Sequence, residues 1–212
     1  MGFLYGVLGS IIATIICAIL VFIFPKIRRR ITRRMFNFTD VGIVCVYSSP
    51  ESHPCIEDME KEIVNAKELK IIACRGSFLA RNPFMNAYSN ANIAIKVLLP
   101  DVKAVNPDWI ESHYKWIHNY KCADDRLPSR KGAIEANIDV LKTRKNVEIK
   151  LFNTVHVGRF IITENAAYFT PYCSGITSPN TPTYKYASNS TMYSWCHRFF
   201  EEVWNNSQHP IS

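Results

Sequence analysis

The sequence predicts an α/β protein, a mixed sheet flanked by helices and preceded by one transmembrane helix. Three observations carry this. Residues 2–24, GFLYGVLGSIIATIICAILVFIF, hold no charged side chain. From residue 41 onward, short β-branched runs alternate with segments whose apolar residues recur at helical spacing, the pattern of a layered α/β domain. Late in the chain three apolar runs follow one another with only turn residues between them, which adds antiparallel strands to the sheet.

The apolar run comes first. At about 1.5 Å rise per residue, a helix over 2–24 spans a hydrocarbon core of roughly 30 Å. A cleaved signal peptide would need a basic start, a shorter apolar core and a small-residue cleavage site. Here no Lys or Arg precedes the run, and it ends in Phe22, Ile23 and Phe24. A retained anchor is the expectation. The juxtamembrane segment 25–40 carries Lys26, Arg28, Arg29, Arg30, Arg33 and Arg34. The positive-inside rule then puts the amino terminus outside and the domain, residues 41–208, in the cytoplasm. The same six cations are expected against anionic headgroups, making the bilayer the first partner.

These six also account for the net charge of +7: setting them aside leaves 19 basic against 18 acidic residues. A near-neutral domain argues against a nucleic-acid partner. Seven cysteines, with Cys17 in the apolar run and no C-x-x-C pair, read as reduced structural thiols. Sequons at Asn37, Asn189 and Asn205 matter only if the domain faces outward.

Within the domain, VGIVCVYSS (41–49) reads as a strand and SPESHP breaks it. Ile56, Met59, Ile63 and Ala66 make a helical stripe ending near Leu69. KIIACRG is a short buried strand closed by Gly76. A short helix over 83–90 precedes the strand IAIKVLLP (93–100). A helix is expected over 107–120, a polar loop over CADDRLPSRKG, and a helix over 133–145 with Ile134, Ile138 and Leu141 inward. VEIKLFN is a strand. Strands 159–163 and 166–170 form a hairpin around ENA, TYKYAS is the last strand, and Ser190 caps a final helix whose Met192, Trp195, Phe199 and Val203 share a face.

Several of these stretches together are similar to the phospholipase D superfamily. GIVCVYSS stands before a helix, NAKELKIIACRGSFL looks like a helix-to-strand step, IAIKVLLPD like a third strand, and FFEEVWN like a closing helix. VHVGRFIITENAAYFTP occupies the place of the superfamily's His-x-Lys-x4-Asp motif. The resemblance covers about residues 41–206 and implies a phospholipase-D-like domain carrying one motif. His156 matches the nucleophilic His. Gly158 stands at the Lys position, Thr163 at the Asp position, Thr170 and Pro171 at the Gly-Ser step, and Cys173 at the Asn position. The superfamily's chemistry needs a cation to stabilise charge on the phosphoryl oxygens and a carboxylate to orient a His. Its loss implies a decayed, non-catalytic domain, acting as a sensing, binding or effector module.

Two neighbours are candidate substitutes: Arg159 for the cation and Glu164 for the orienter. With His156 they would make a variant phosphodiesterase site, nuclease or phospholipase, shared across a homodimer. On a strand each points to the opposite face from the residue it would replace, unless a bulge at Gly158 shifts the register. The alternative for His156 is a plain polar residue at a strand start. CRGSF offers a second candidate. Arg75, Gly76 and Ser77 would bind a phosphorylated small molecule beside His156, with Arg75 or Arg81 as counter-charge; the alternative is a simple turn. No cofactor is expected. Asp101 and Asp108 supply too few ligands for a metal, and His113 and His118, five apart, miss the i, i+4 spacing of a zinc pair. A third reading is a scaffold that pairs only with another protein.

Overall fold

The computed structural model describes residues 41–103, 112, 116, 123–154, 157–174, 176 and 180–209. The apolar run 2–24, the basic segment 25–40 with its six cations, the helix expected over 107–120 and His156 all lie outside them. Among the described residues no helix is long and apolar enough to cross a membrane.

The elements follow in the order β1 (Ile43–Tyr47), α1 (His53–Val64), β2 (Glu68–Ile72), a 3-10 turn (Ser77–Ala80), α2 (Phe84–Ser89), β3 (Ala94–Pro100), α3 (Ala123–Lys142), β4 (Val147–Phe152), β5 (Gly158–Thr163), β6 (Ala166–Pro171), β7 (Thr183–Ala187) and α4 (Thr191–Asn205). The seven strands form one sheet in the order β1-β7-β6-β5-β2-β3-β4. Pairs β2–β3 and β3–β4 are parallel and the rest antiparallel, the mixed sheet the sequence predicts.

Alternate residues of each strand face opposite layers. On one face Leu69, Ile71, Ile95, Val97, Ile161 and Tyr168 pack against Met59 and Ile63 of α1, Phe84 of α2 and Ile134, Ile138 and Leu141 of α3. On the other, Ile72, Leu98, Phe160, Ile162 and Tyr186 pack against Cys196, Phe200 and Trp204 of α4. Central strands with both faces covered need near-continuous apolar runs, as in KVLLP and RFIIT.

Three details depart from expectation. The segment expected as a polar loop is helical from Ala123 onward. The α1 stripe runs through Cys55, Met59 and Ile63 and the helix stops at Val64, so β2 begins at Glu68. In α4 the fully buried stripe is Cys196, Phe200 and Trp204. Met192, Trp195, Phe199 and Val203 flank it, half-buried. Ser190 does cap α4, its Oγ accepting from the Tyr193 N–H at 3.2 Å.

Candidate functional site

Of the motif positions, Gly158, Thr163, Thr170 and Pro171 lie along β5 and β6, Cys173 follows β6, and His156 lies outside the described residues. Gly158 opens β5 and pairs with Pro171; Arg159 pairs with Thr170 and Phe160 with Phe169. The pairing runs without a register shift through Gly158, so no bulge turns Arg159 toward the face of the Lys position. A Cβ at Gly158 would collide with the Phe169 ring and the Thr170 carbonyl and lie 3.0 Å from Pro171 Cα. The Cβ site at the Lys position is therefore filled by neighbouring atoms.

Thr163, at the Asp position, is 2% exposed. Its Oγ1 accepts from the Asn165 and Ala166 N–H groups at 3.3 and 3.2 Å, closing the β5–β6 turn. Glu164 stands in the same turn, and its Oε1 accepts from the Lys67 N–H at 2.9 Å. Five residues of extended chain separate it from Arg159, about 17 Å at the usual strand rise. The structure does not bring Arg159 and Glu164 together.

The 74–77 loop does lie at the Gly158 end of the sheet. The Cys74 N–H donates to the Tyr172 hydroxyl at 3.2 Å, and the Tyr172 N–H donates to the Val157 carbonyl at 3.0 Å. Gly76 adopts φ +73°, a left-handed conformation that glycine enters without a Cβ penalty. Its carbonyl accepts from the Leu79 N–H at 2.8 Å, starting the 3-10 turn. The Arg75 carbonyl accepts from the Asn137 amide at 2.8 Å, while its guanidinium reaches Ser77 Oγ at 3.4 Å. Arg75 is exposed and Ser77 half-buried.

Arg159 is the residue whose setting sequence reasoning missed. Only 5% exposed, it stacks its guanidinium on the Phe78 ring, 4.4 Å from the centroid. Its Nε and Nη2 are buried with no hydrogen-bond partner among the described residues. Burial pulls its pKa down, while Tyr172, Glu51 and Cys55 act the other way. Arginine stays charged under such pressure, so this is an interior cation.

Two interior lysines, by contrast, are fully matched. Lys70 meets Glu201 at 2.8 Å and Glu68 at 2.9 Å on the α4 face. Lys185 meets Glu62 at 2.7 Å and Asp58 at 2.8 Å on the α1 face. Asp58 also accepts from the hydroxyls of Tyr47 and Tyr168, both at 2.7 Å. Burial opposes ionisation of Asp58. The bonds from Lys185, Tyr168 and Tyr47 outweigh it and hold the carboxyl below the usual range. The visible signal for both lysines is a cation inside a strand, as in ELKII and TYKYA.

None of the five described cysteines forms a disulfide, and burial pushes the Cys55 and Cys196 thiols up to about 12, leaving them unreactive near neutrality. Among the described residues no cluster of three or more metal-ligating side chains occurs. A groove of about 710 Å³ lies at the opposite end of β3 and β4, lined by Asn92–Lys96 and 143–148; it holds neither the motif positions nor the 74–77 loop.

No family model matches the chain, and no curated protein matches it in sequence. Solved structures do. The archaeal chromatin protein TrmBL2, described with a novel mode of DNA binding, matches at 13% identity and TM-score 0.47, over 99% of this chain and 69% of its own. NucT from Helicobacter pylori matches at 9% identity and TM-score 0.49, over 78% of this chain and 98% of its own. Nuc from Salmonella typhimurium, a phospholipase D family member, matches at 12% identity and TM-score 0.46, over 79% and 97%. At these identities the likeness assigns no residue a role.

Proposed function

We propose that the chain is a single-pass membrane protein whose cytoplasmic phospholipase-D-like domain binds a ligand and does not cleave it. The observation that carries this reading is the crowding at Gly158: the Lys position has no space for a side chain. A motif without its cation loses roughly 10²–10³ in rate if that group behaves like other charge-stabilising donors. Thr163 spends its hydroxyl on a turn, so the Asp position offers no charge either.

The reading of the site as a variant phosphodiesterase gains no support from the geometry, because Arg159 faces away from the Lys position and lies far from Glu164. A second chain in a homodimer would bring the same incomplete motif. The ligand surface in this proposal is Arg75, Gly76 and Ser77 with His156, and the ligand is a phosphorylated small molecule held near the bilayer by the 2–24 anchor and its six flanking cations.

The test is turnover. The full chain in detergent is assayed on bis(p-nitrophenyl) phosphate and on phosphatidylcholine vesicles. No hydrolysis above the protein-free rate is expected. Turnover that disappears in His156→Ala would overturn the proposal.

A further inference from the structure

Beside Arg159 lies a cavity of about 150 Å³, bounded by the 50–51 loop, α1, the segment 78–84 and β5. Ile56, Met59, Phe84 and Ile161 give it apolar walls, and Asn82 and Arg81 add polar groups. Arg81 is solvent-exposed and has the Glu51 carboxylate 3.9 Å away, so that acid already faces a cation other than Arg159.

The guanidinium carbon lies over the Phe78 ring, a contact that satisfies none of its N–H donors. The two unpartnered nitrogens, Nε and Nη2, are not an arbitrary pair. They form one edge of the guanidinium, with parallel N–H bonds spaced to match two oxygens of a carboxylate or phosphate. A buried cation with a whole edge unmatched is costly, and native interiors rarely keep one without a partner. Lys70 and Lys185 are each held by two carboxylates; Arg144 leaves only its Nε buried without a partner among the described residues, whereas Arg159 leaves a whole edge.

We propose that this cavity binds a small oxyanion, a carboxylate or phosphate on a short apolar body at most, seated on the Nε–Nη2 edge of Arg159. The volume holds about five waters' worth of ligand at roughly 30 Å³ each, enough for a short-chain acid or inorganic phosphate. The site lies on the sheet face opposite the Lys position, so it stands whether or not the motif positions turn over substrate.

Isothermal titration of the full chain in detergent, at constant ionic strength set with chloride, tests the proposal. Acetate, butyrate and phosphate are the probes. Saturable binding of at least one is expected, with butyrate several-fold tighter than acetate if the carboxylate with an apolar tail is the natural form, and phosphate tightest if the ligand is the free ion. Arg159→Met replaces the buried cation by an apolar chain of similar length and is expected to weaken that binding at least tenfold. Arg159→Lys, a point charge without the paired edge, should weaken it to an intermediate degree. Absence of saturable binding by all three probes, or binding unchanged in Arg159→Met, would overturn the site. Ile56→Phe supplies a second arm should Arg159→Met fail to fold. It fills the cavity from a half-buried position and leaves the cation in place, so undiminished binding there also overturns the proposal.

Discussion

A lysine introduced at position 158 would have to displace the Phe169 ring and press on the Thr170 carbonyl. Phe169 stacks on Phe160 at 4.7 Å, and Phe160 stacks in turn on Phe199 of α4, so the ring cannot yield without disturbing the α4 layer. Gly158→Lys is therefore expected to destabilise the protein by about 1–3 kcal/mol, the usual range for overpacking, and to restore no hydrolysis. Urea unfolding reads the first and the bis(p-nitrophenyl) phosphate assay the second; undiminished stability would show that the start of β5 relaxes. The glycine was visible in the sequence as a missing Lys. That the gap is occupied by a ring and a carbonyl was not, since it depends on which β6 residues face it. The same limit hid Arg159. Its strand parity was legible, but its contact with Phe78 comes from a turn 81 residues earlier in the sequence. Asp58 makes a second prediction at this scale. Its folded pKa is lowered, so its contribution is full above the ordinary aspartate value near 3.9 and is lost as pH falls through the lower folded value. Glu68 shifts in the same direction, Lys70 and Lys96 outweighing its burial. Melting temperatures between pH 7 and pH 2.5 should fall on the acid side, and Asp58→Asn should make that fall shallower without abolishing it. An identical acid slope in the variant would remove Asp58 from the account.

Elements were more legible than side-chain settings, for a physical reason. Strands with both faces buried must be apolar throughout, and β3, β5 and β6 announce themselves that way. The Ser190 cap is likewise local chemistry. Where sequence reading failed, a competing local signal was stronger than the true one: the polar run CADDRLPSRKG suggested a loop where α3 runs. In α4 the aromatic residues spread over two adjacent stripes, so the buried one was misplaced by a single position. Loop anchoring was not legible at all. The Asn146 side-chain amide donates to the Ala87, Asn90 and Ile93 carbonyls at 3.2, 3.0 and 3.1 Å, tying the end of α2 and the start of β3 to β4. Asn146→Ala leaves these acceptors without their shared donor and is expected to cost about 1–3 kcal/mol. Hydrogen exchange should show the loss of protection concentrated around 87–95. A uniform change across the sheet would mean that Asn146 supports global stability and not this loop.

At the scale of the whole molecule the charge is split along the chain. The segment 25–40 carries six of the 25 basic residues, and the remainder of the chain is nearly balanced. Within the described body Lys70 and Lys185 are spent on carboxylates of β2, α4 and α1, so they project no field outward. Affinity for nucleic acid rests mainly on neutralising phosphates and falls with salt in proportion to the number neutralised. Any affinity of the full chain for duplex DNA should therefore reside in the cations of the 25–40 segment. Fluorescence anisotropy with a labelled duplex, using the full chain in zwitterionic detergent at low salt, reads this directly. Weak, sequence-independent binding is expected, disappearing when Lys26, Arg28, Arg29, Arg30, Arg33 and Arg34 are all replaced by Gln. The same variant should keep its melting temperature, because the domain's lysine–carboxylate pairs are untouched. Duplex binding that survives the six replacements would place a phosphate-reading surface on the folded domain, and the argument from its near-neutral charge would fall with it.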